Sequence, residues 1–295
     1  MAELAPERPV QRPSRWIAAL RRGGPRLWIG ATLVGVLVLV ALLAPLLAPH
    51  NPIEQDLMSA QLPPAWSEGG EPAYLFGTDS LGRCVLSRLI YSARTAVAVA
   101  LIAASLAAAI GIAFGLIAGS FGGWVDQLTS RLIDVWMAFP PVLLSIVLAA
   151  VIGAGLTSVI AAIVVVDWTR FARVVRAETM VQLQRDYAAA ARVIGLSRGG
   201  ILRLEILPNL IPLVVTLLAV EMGIAILVEV ILSFVGISVA GDTPTWGGMI
   251  AEGRQIVYQA PWIMGLPIGC IISSVIGFNL LGDGLRLVLD PVQRR

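Results

Sequence analysis

Arg185-Asp-Tyr-Ala-Ala-Ala-Ala-Arg-Val-Ile-Gly-Leu-Ser-Arg-Gly-Gly-Ile-Leu-Arg-Leu-Glu-Ile-Leu-Pro208 is the longest amphipathic, arginine-bearing segment between two apolar segments of this chain. It is too polar to cross a bilayer and too regularly patterned for a slack loop. From Asp186 the spacing predicts a helix, with Tyr187, Ala190, Ala191 and Ile194 at i, i+3, i+4 and i+7 on one face. Asp186 can cap its start, where an acid also suits the helix dipole, and Arg192 suits the other end. Gly195 can turn left-handed and stop the helix. Ser197 can cap a second short helix, and Pro208 closes the unit. Four consecutive alanines present a low surface that lets another protein approach the backbone. The unit reads as a docking element.

What lies on either side of it is apolar. The 295 residues are 57% hydrophobic and 14% charged, a composition with too little polar surface for a soluble domain, so the chain is a membrane protein. All 21 basic residues are arginine. With no lysine, a standard phosphate-binding loop of the Gly-Lys-Ser/Thr type is excluded, and any ATP-driven role needs another subunit. Cys84 and Cys270 stand far apart, in a loop and in an apolar span, which gives neither a disulfide framework nor a metal or redox pair. The single histidine, His50, rules out a two-histidine zinc peptidase and reads as an interfacial side chain. No pattern points to nucleic acid.

In order, residues 1–26 form an arginine- and proline-rich tail, and 27–48 an uncleaved first transmembrane helix, longer than a signal-peptide core. Residues 49–91 make an external segment, in which Leu81, Val85, Leu89 and Ile90 repeat at helical spacing with Arg83 and Arg88 on other faces. That pattern predicts a helix lying at the membrane surface. Residues 92–284 hold five further spans, at about 93–118, 132–153, 156–174, 209–236 and 262–282. The second is rich in Ala and Gly, which favours close helix packing. The third is interrupted by Pro140-Pro141, which removes backbone donors and kinks the helix. Residues 285–295 form a polar tail.

This six-helix topology puts 17 of the 21 arginines on the side that holds both termini and the 185–208 loop. That asymmetry places both termini in the cytoplasm. Asp167, Glu221 and Glu229 fall inside predicted spans, where an ionised acid costs on the order of 2.5–3.5 kcal/mol on insertion scales. Asp167 lies one helical turn from Arg170 and can pair with it. A proton relay is the competing reading of these acids.

Tyr187-Ala-Ala-Ala-Ala-Arg-Val-Ile-Gly195, followed by Glu205-Ile-Leu-Pro-Asn209, resembles the EAA loop of ABC-importer permeases. More narrowly, the chain resembles the C-type permease of the dipeptide, oligopeptide and nickel group from about residue 27 to 291. Gly77-Thr-Asp-Ser-Leu-Gly-Arg83, Gly122-Gly-Trp-Val-Asp126, Ala260-Pro-Trp262, Phe278-Asn-Leu-Leu-Gly-Asp-Gly-Leu-Arg286 and Leu289-Asp-Pro291 support this. The sequence departs from the family pattern at Ala189, where the motif has Glu, at Glu205, where His is common, and at Cys84, where Asp often follows Gly-Arg.

The resemblance implies an all-α type I ABC importer permease with a cytoplasmic coupling helix between spans four and five. The ATPase-coupling residues carried over are Asp186, Tyr187, Ala190, Ala191, Gly195, Leu207 and Pro208. Implied partners are a second permease subunit, two cytoplasmic ATPase subunits that bind ATP and Mg, an extracytoplasmic solute-binding protein and the lipid of a bacterial inner membrane. The chain itself performs no bond chemistry and carries no cofactor of its own. The implied solutes are dipeptides or oligopeptides, with nickel chelates as the alternative within the family. An ion-coupled secondary transporter is the rival class, although no inverted repeat is apparent across the six spans. A membrane enzyme would need converging catalytic side chains that one His and scattered acids do not supply.

Overall fold

The computed structural model describes residues 23–238 and 243–289, and they are mostly helical. In order they form α1 (Gly24–Leu42), α2 (Ala44–Leu47), α3 (Val85–Phe121), α4 (Gly123–Met137), α5 (Pro141–Ile152), α6 (Leu156–Leu183), α7 (Asp186–Val193), α8 (Arg198–Ile201), a π turn (Leu202–Ile206), α9 (Leu207–Phe234), α10 (Trp246–Gln255) and α11 (Pro261–Leu289). Among the described residues there is no strand, only one bridge between Thr78 and Cys84. Four helical stretches are long and apolar enough to cross a membrane: α1, α3, α8 through α9, and α11. The bent pair α4–α5 makes a fifth if counted as one span.

Small residues set the packing. Gly111, Gly115 and Gly119 lie one helical turn apart on α3 and face α6. A Cβ at Gly111 would sit 2.4 Å from the Trp168 carbonyl oxygen, and one at Gly115 would sit 2.8 Å from that of Ala172. Only glycine lets these backbones approach so closely, and in lipid such van der Waals contact is a main source of helix association. The same device joins α1 to α11, where a Cβ at Gly30 would meet the Leu281 nitrogen at 2.3 Å. Around these contacts lie Ala103, Ile163, Ala225 and Leu232 in one buried cluster, and Ala107 and Phe171 in another.

Several expected boundaries shift. The first helix begins at Gly24 and breaks after Leu42, where Pro45 starts the short α2. The interrupted third span is two helices bent by 86°. Pro140 and Pro141 sit at the break, with Pro141 in the first turn of α5, where a missing N–H costs least. The separate surface helix expected from Leu81 does not form. Helical structure begins at Val85 and runs without interruption to Phe121, since nothing between them breaks it. At the other end, α11 continues to Leu289, so the expected polar tail from 285 is helical over its first residues. The tail at residues 1–22, the loop at 239–242 and residues 290–295 lie outside the described residues.

Candidate functional site

The 185–208 unit sits at the end of the bundle where α3 and α6 finish. Helix α7 runs from Asp186 to Val193, but Asp186 is its first residue rather than its cap; Arg185 holds the extended cap position and no side chain closes it. Gly195 has φ of +88°, the left-handed stop expected of it. Ser197 caps α8 by accepting from the Gly200 N–H at 3.2 Å. Pro208 does not close the unit. It takes a first-turn position of α9, and the π turn joins α8 to α9 without a break.

The face that α7 buries also differs from the predicted one. Ala188 and Ala191 are buried against Val175, Ile201, Ile206 and Leu210, with Tyr187 and Leu183 packed beside them. Ala190 and Ile194 of the expected stripe point outward. Tyr187 and Ala191 of that stripe do pack inward, and Ala188 takes the place of Ala190 beside them, because four identical side chains carry no phase. Leu207 is half-buried at the start of α9.

Polar contacts fix α7 on the bundle. The Arg192 guanidinium donates to the carbonyl oxygen of Leu183, the last residue of α6, at 3.0 Å. The Tyr187 hydroxyl donates to Gln182, whose amide donates to Glu178 at 2.6 Å. Burial pushes the Tyr187 phenol above its ordinary pKa, so it stays a neutral donor. Beside it opens a cleft of about 400 Å³ lined by Leu183, Arg192, Leu196 and Arg198. The tip of the unit is apolar and uncovered: Val193 is 87% and Ile194 76% exposed. Val193 was not singled out in the sequence. Its cue is a β-branched residue next to Ile194 just before a helix-stopping glycine.

Two of the membrane acids converge on one arginine. Arg170 lies 3.8 Å from Asp167, as expected from their spacing, and 3.3 Å from Glu221 on α9. Glu229 is buried and accepts from the hydroxyls of Ser233 at 2.5 Å and Ser238 at 3.4 Å. Nearer the loop end, Arg173 meets Asp134 at 2.8 Å and Arg176 forks onto Asp126, binding α6 to α4.

At the opposite end, Arg83 and Arg88 are not on the open faces of a surface helix. Both are buried, in a cluster with Asp79 and Glu252. Arg83 lies 2.7 Å from Asp79 and 2.9 Å from Glu252; Arg88 contacts Asp79 and reaches Glu252 at 2.6 and 3.1 Å. The sequence could not signal this, because Glu252 comes from α10, 164 residues beyond Arg88. The loop before α3 is tied to the same cluster through Asp79 and through Thr78, whose hydroxyl accepts from the Leu62 N–H at 2.9 Å. His50 stacks on Tyr74, 4.8 Å between ring centres, as part of that loop.

Residues 111–295 match the model of the binding-protein-dependent transport system inner membrane component, and residues 25–64 match that of the N-terminal TM domain of oligopeptide transport permease C. The chain is 40% identical over 294 residues to a dipeptide transport system permease protein of Haemophilus influenzae, covering 98% of this chain and 96% of the relative. It is 37% identical over 256 residues to a di/tripeptide transport system permease protein of Pseudomonas aeruginosa, covering 87% and 84%. A glutathione transport system permease protein of Pectobacterium atrosepticum is 35% identical over 225 residues, covering 76% and 75%. The chain therefore belongs to the family of inner-membrane components of binding-protein-dependent transport systems, as a C-type permease subunit of ABC importers.

Proposed function

We propose that this chain is one of two permease subunits of an ATP-driven importer of short peptides, and that α7 is the element on which cytoplasmic ATPase subunits act. The observation that carries the reading is the uncovered apolar tip, Val193 and Ile194, on a helix whose other face is locked to α6 and α9. An apolar contact exposed on a rigid support is a binding surface rather than a core defect. In this reading Ala188 and Ala191 seat the helix on its own bundle, while Ala189, Ala190 and the tip meet the ATPase groove. The missing motif acid at Ala189 is then replaced by apolar contact, with Asp186 at the exposed first turn. Gly195 sets the direction of the chain leaving the groove. Tyr187, Leu207 and Pro208 join the helix to the span behind it.

Six spans follow if α6 crosses the membrane too. Its 28 residues reach roughly 42 Å, more than the hydrocarbon thickness of about 30 Å. Its charges, which mask it as a span, are balanced by Asp126, Asp134 and Glu221. Both termini and α7 then face the cytoplasm, and the Asp79–Glu252 cluster faces outward, where a solute-binding protein delivers peptide. Closure of the two ATPase subunits would pull α7 and shift the populations of outward-open and inward-open states. ATP and Mg belong to those subunits.

The test uses the intact complex. Ile194→Glu puts a charge into an apolar contact without touching the bundle core. It is expected to lower receptor-stimulated ATP hydrolysis and peptide uptake by at least about tenfold, the size of one contact hot spot. Wild-type uptake by this variant would overturn the assignment of α7. Uptake that persists without the ATPase subunits and collapses with the proton gradient would instead favour a secondary transporter.

A further inference from the structure

A charged side chain that looks away from the protein in the middle of a bilayer must face lipid, water or a partner subunit. The exposed positions of α1, α3 and α5 show what this chain presents to lipid: Val36, Leu39, Leu106, Ile110, Leu143 and Val147, all apolar. Helix α6 breaks that rule. Arg170, Arg173, Ala177 and Met180 fall at i, i+3, i+7 and i+10, one stripe that is partly or fully open. The first two are charged.

The depth of the stripe follows from packing. Residues 95–121 of α3 carry no charge, and the middle of that run, Ala107 and Ala108, packs on Phe171. Gly115, two turns further on, faces Ala172 and Val175. Arg170 therefore lies close to mid-depth and Arg173 about one turn toward the cytoplasmic side. Their side chains are 31% and 50% exposed, and that of Asp134, paired with Arg173, is 62% exposed. A cation or carboxylate exposed to hydrocarbon at that depth costs several kcal/mol, whereas facing a water-filled cavity avoids the cost.

The two arginines are not equivalent. Arg170 is clamped by two buried carboxyls, Asp167 and Glu221, from its own helix and from α9. It has no freedom to change partner. Arg173 and Asp134 hold each other at 2.8 Å in the open, and an exposed pair of this kind contributes only about 0–1 kcal/mol. Exchanging each protein partner for a charge of the same sign on a solute is then close to neutral. Near-neutral exchange is what conduction needs, because a solute held tightly would not leave.

We propose that the Arg170–Met180 stripe of α6, with Asp134 of α4, lines the aqueous translocation pathway, and that the Arg173–Asp134 pair opens to bind the two ends of a zwitterionic peptide in transit. The guanidinium takes the α-carboxylate and the Asp134 carboxylate takes the α-ammonium. The ends of a dipeptide lie roughly 5–7 Å apart at about 3.5 Å per residue, so the pair needs to part by only a few ångströms. The assignment of the ligand rests on the reading of this chain as a peptide permease; the assignment of the pathway does not.

Two measurements on the complete transporter in liposomes decide it. In a background where Cys84 and Cys270 are replaced by alanine, single cysteines are placed by Asp134→Cys, Ala177→Cys, Ile110→Cys and Val147→Cys and treated with a charged, water-soluble thiol reagent. The first two are expected to react at least about tenfold faster than the last two, because the thiolate forms in water and not in hydrocarbon. Equal, slow reaction at all four would show the stripe covered by lipid or by the partner subunit and would overturn the pathway. For the ligand, Arg173→Gln and Arg173→Lys are compared in uptake of a zwitterionic dipeptide, with assembly followed by co-purification. Gln is expected to reduce uptake about tenfold, Lys by less than about threefold, the difference being one charge-assisted contact. Equal losses, or no loss in either, would overturn the binding role. If the unmodified complex imports no peptide at all, the peptide reading itself fails, while the thiol rates still report on the pathway.

Discussion

Arg88 and Val193 are each misplaced for a protein standing alone: the arginine is 4% exposed and the valine 87%. They mark the two ends of the bundle, and the two misplacements have opposite consequences. At the Arg88 end, Asp79, Arg83 and Arg88 from the loop and α3 are drawn inside, and Glu252 of α10, its side chain 38% exposed, pairs with both arginines. Nothing outside the chain is needed to explain them. At the Val193 end, an apolar tip is left open on a helix that is otherwise well seated. The charges at one end find their partners within this chain, and the apolar tip at the other is covered by none of its residues.

On that contrast, the Arg88 end should be fragile toward the loss of single groups. Arg88→Ala has the largest expected effect. It leaves Asp79 and Glu252 facing each other with one cation fewer, and removing one partner from a buried ionic cluster costs about 3–5 kcal/mol. The purified complex should lose a large part of its thermal stability, read from the temperature at which it aggregates in detergent. A melting temperature unchanged from wild type would show the cluster to be decorative and erase the contrast.

Two of the left-handed glycines, one toward each end, sharpen it. Gly82 has φ of +73°, and a Cβ there would stand 1.7 Å from the Asp56 carbonyl oxygen. Gly195 has φ of +88°, and a Cβ there would meet nothing within 4 Å. Both alanine variants carry the left-handed penalty of roughly 1–2 kcal/mol, but only Gly82→Ala must also move a backbone. Gly82→Ala should therefore destabilise clearly more than Gly195→Ala in the same thermal assay. Equal losses would mean that the loop yields as easily as the 185–208 unit.

How much of this was legible in the sequence follows the same division. The apolar runs, the helix-stopping Gly195, the Ser197 cap and the Asp167–Arg170 pair are local, and local spacing specifies them. The Pro140-Pro141 break was visible, but not that it turns the chain by 86°. Arg83 and Arg88 were misread because their burial depends on Glu252, which no window around them contains. Ala190 and Ile194 of α7 were misread for a different reason. Periodicity needs contrast between positions, and Ala188 to Ala191 offer none until Val175 and Leu210 choose a side. Pro208 was read as a stop because proline usually is one; at the first turn of a helix it is tolerated instead.

Val193→Ser tests the other half of the contrast, and here the expected change in stability is the smallest. The side chain is open and outside the buried cluster of α7, so its truncation removes almost no burial. Surface substitutions of this kind fall within about 0.5 kcal/mol of zero. The permease should reach the membrane in wild-type amounts and melt at the wild-type temperature with its ATPase subunits left out. If α7 meets an ATPase through its tip, the complex with those subunits should be easier to dissociate, and the loss should appear as a faster off-rate in a subunit-exchange measurement. A stability loss comparable to that of Arg88→Ala in the permease alone would mean that Val193 belongs to the fold of this chain. The tip would then be part of this chain's own packing, as the Arg88 cluster is, and the two ends would no longer differ in kind.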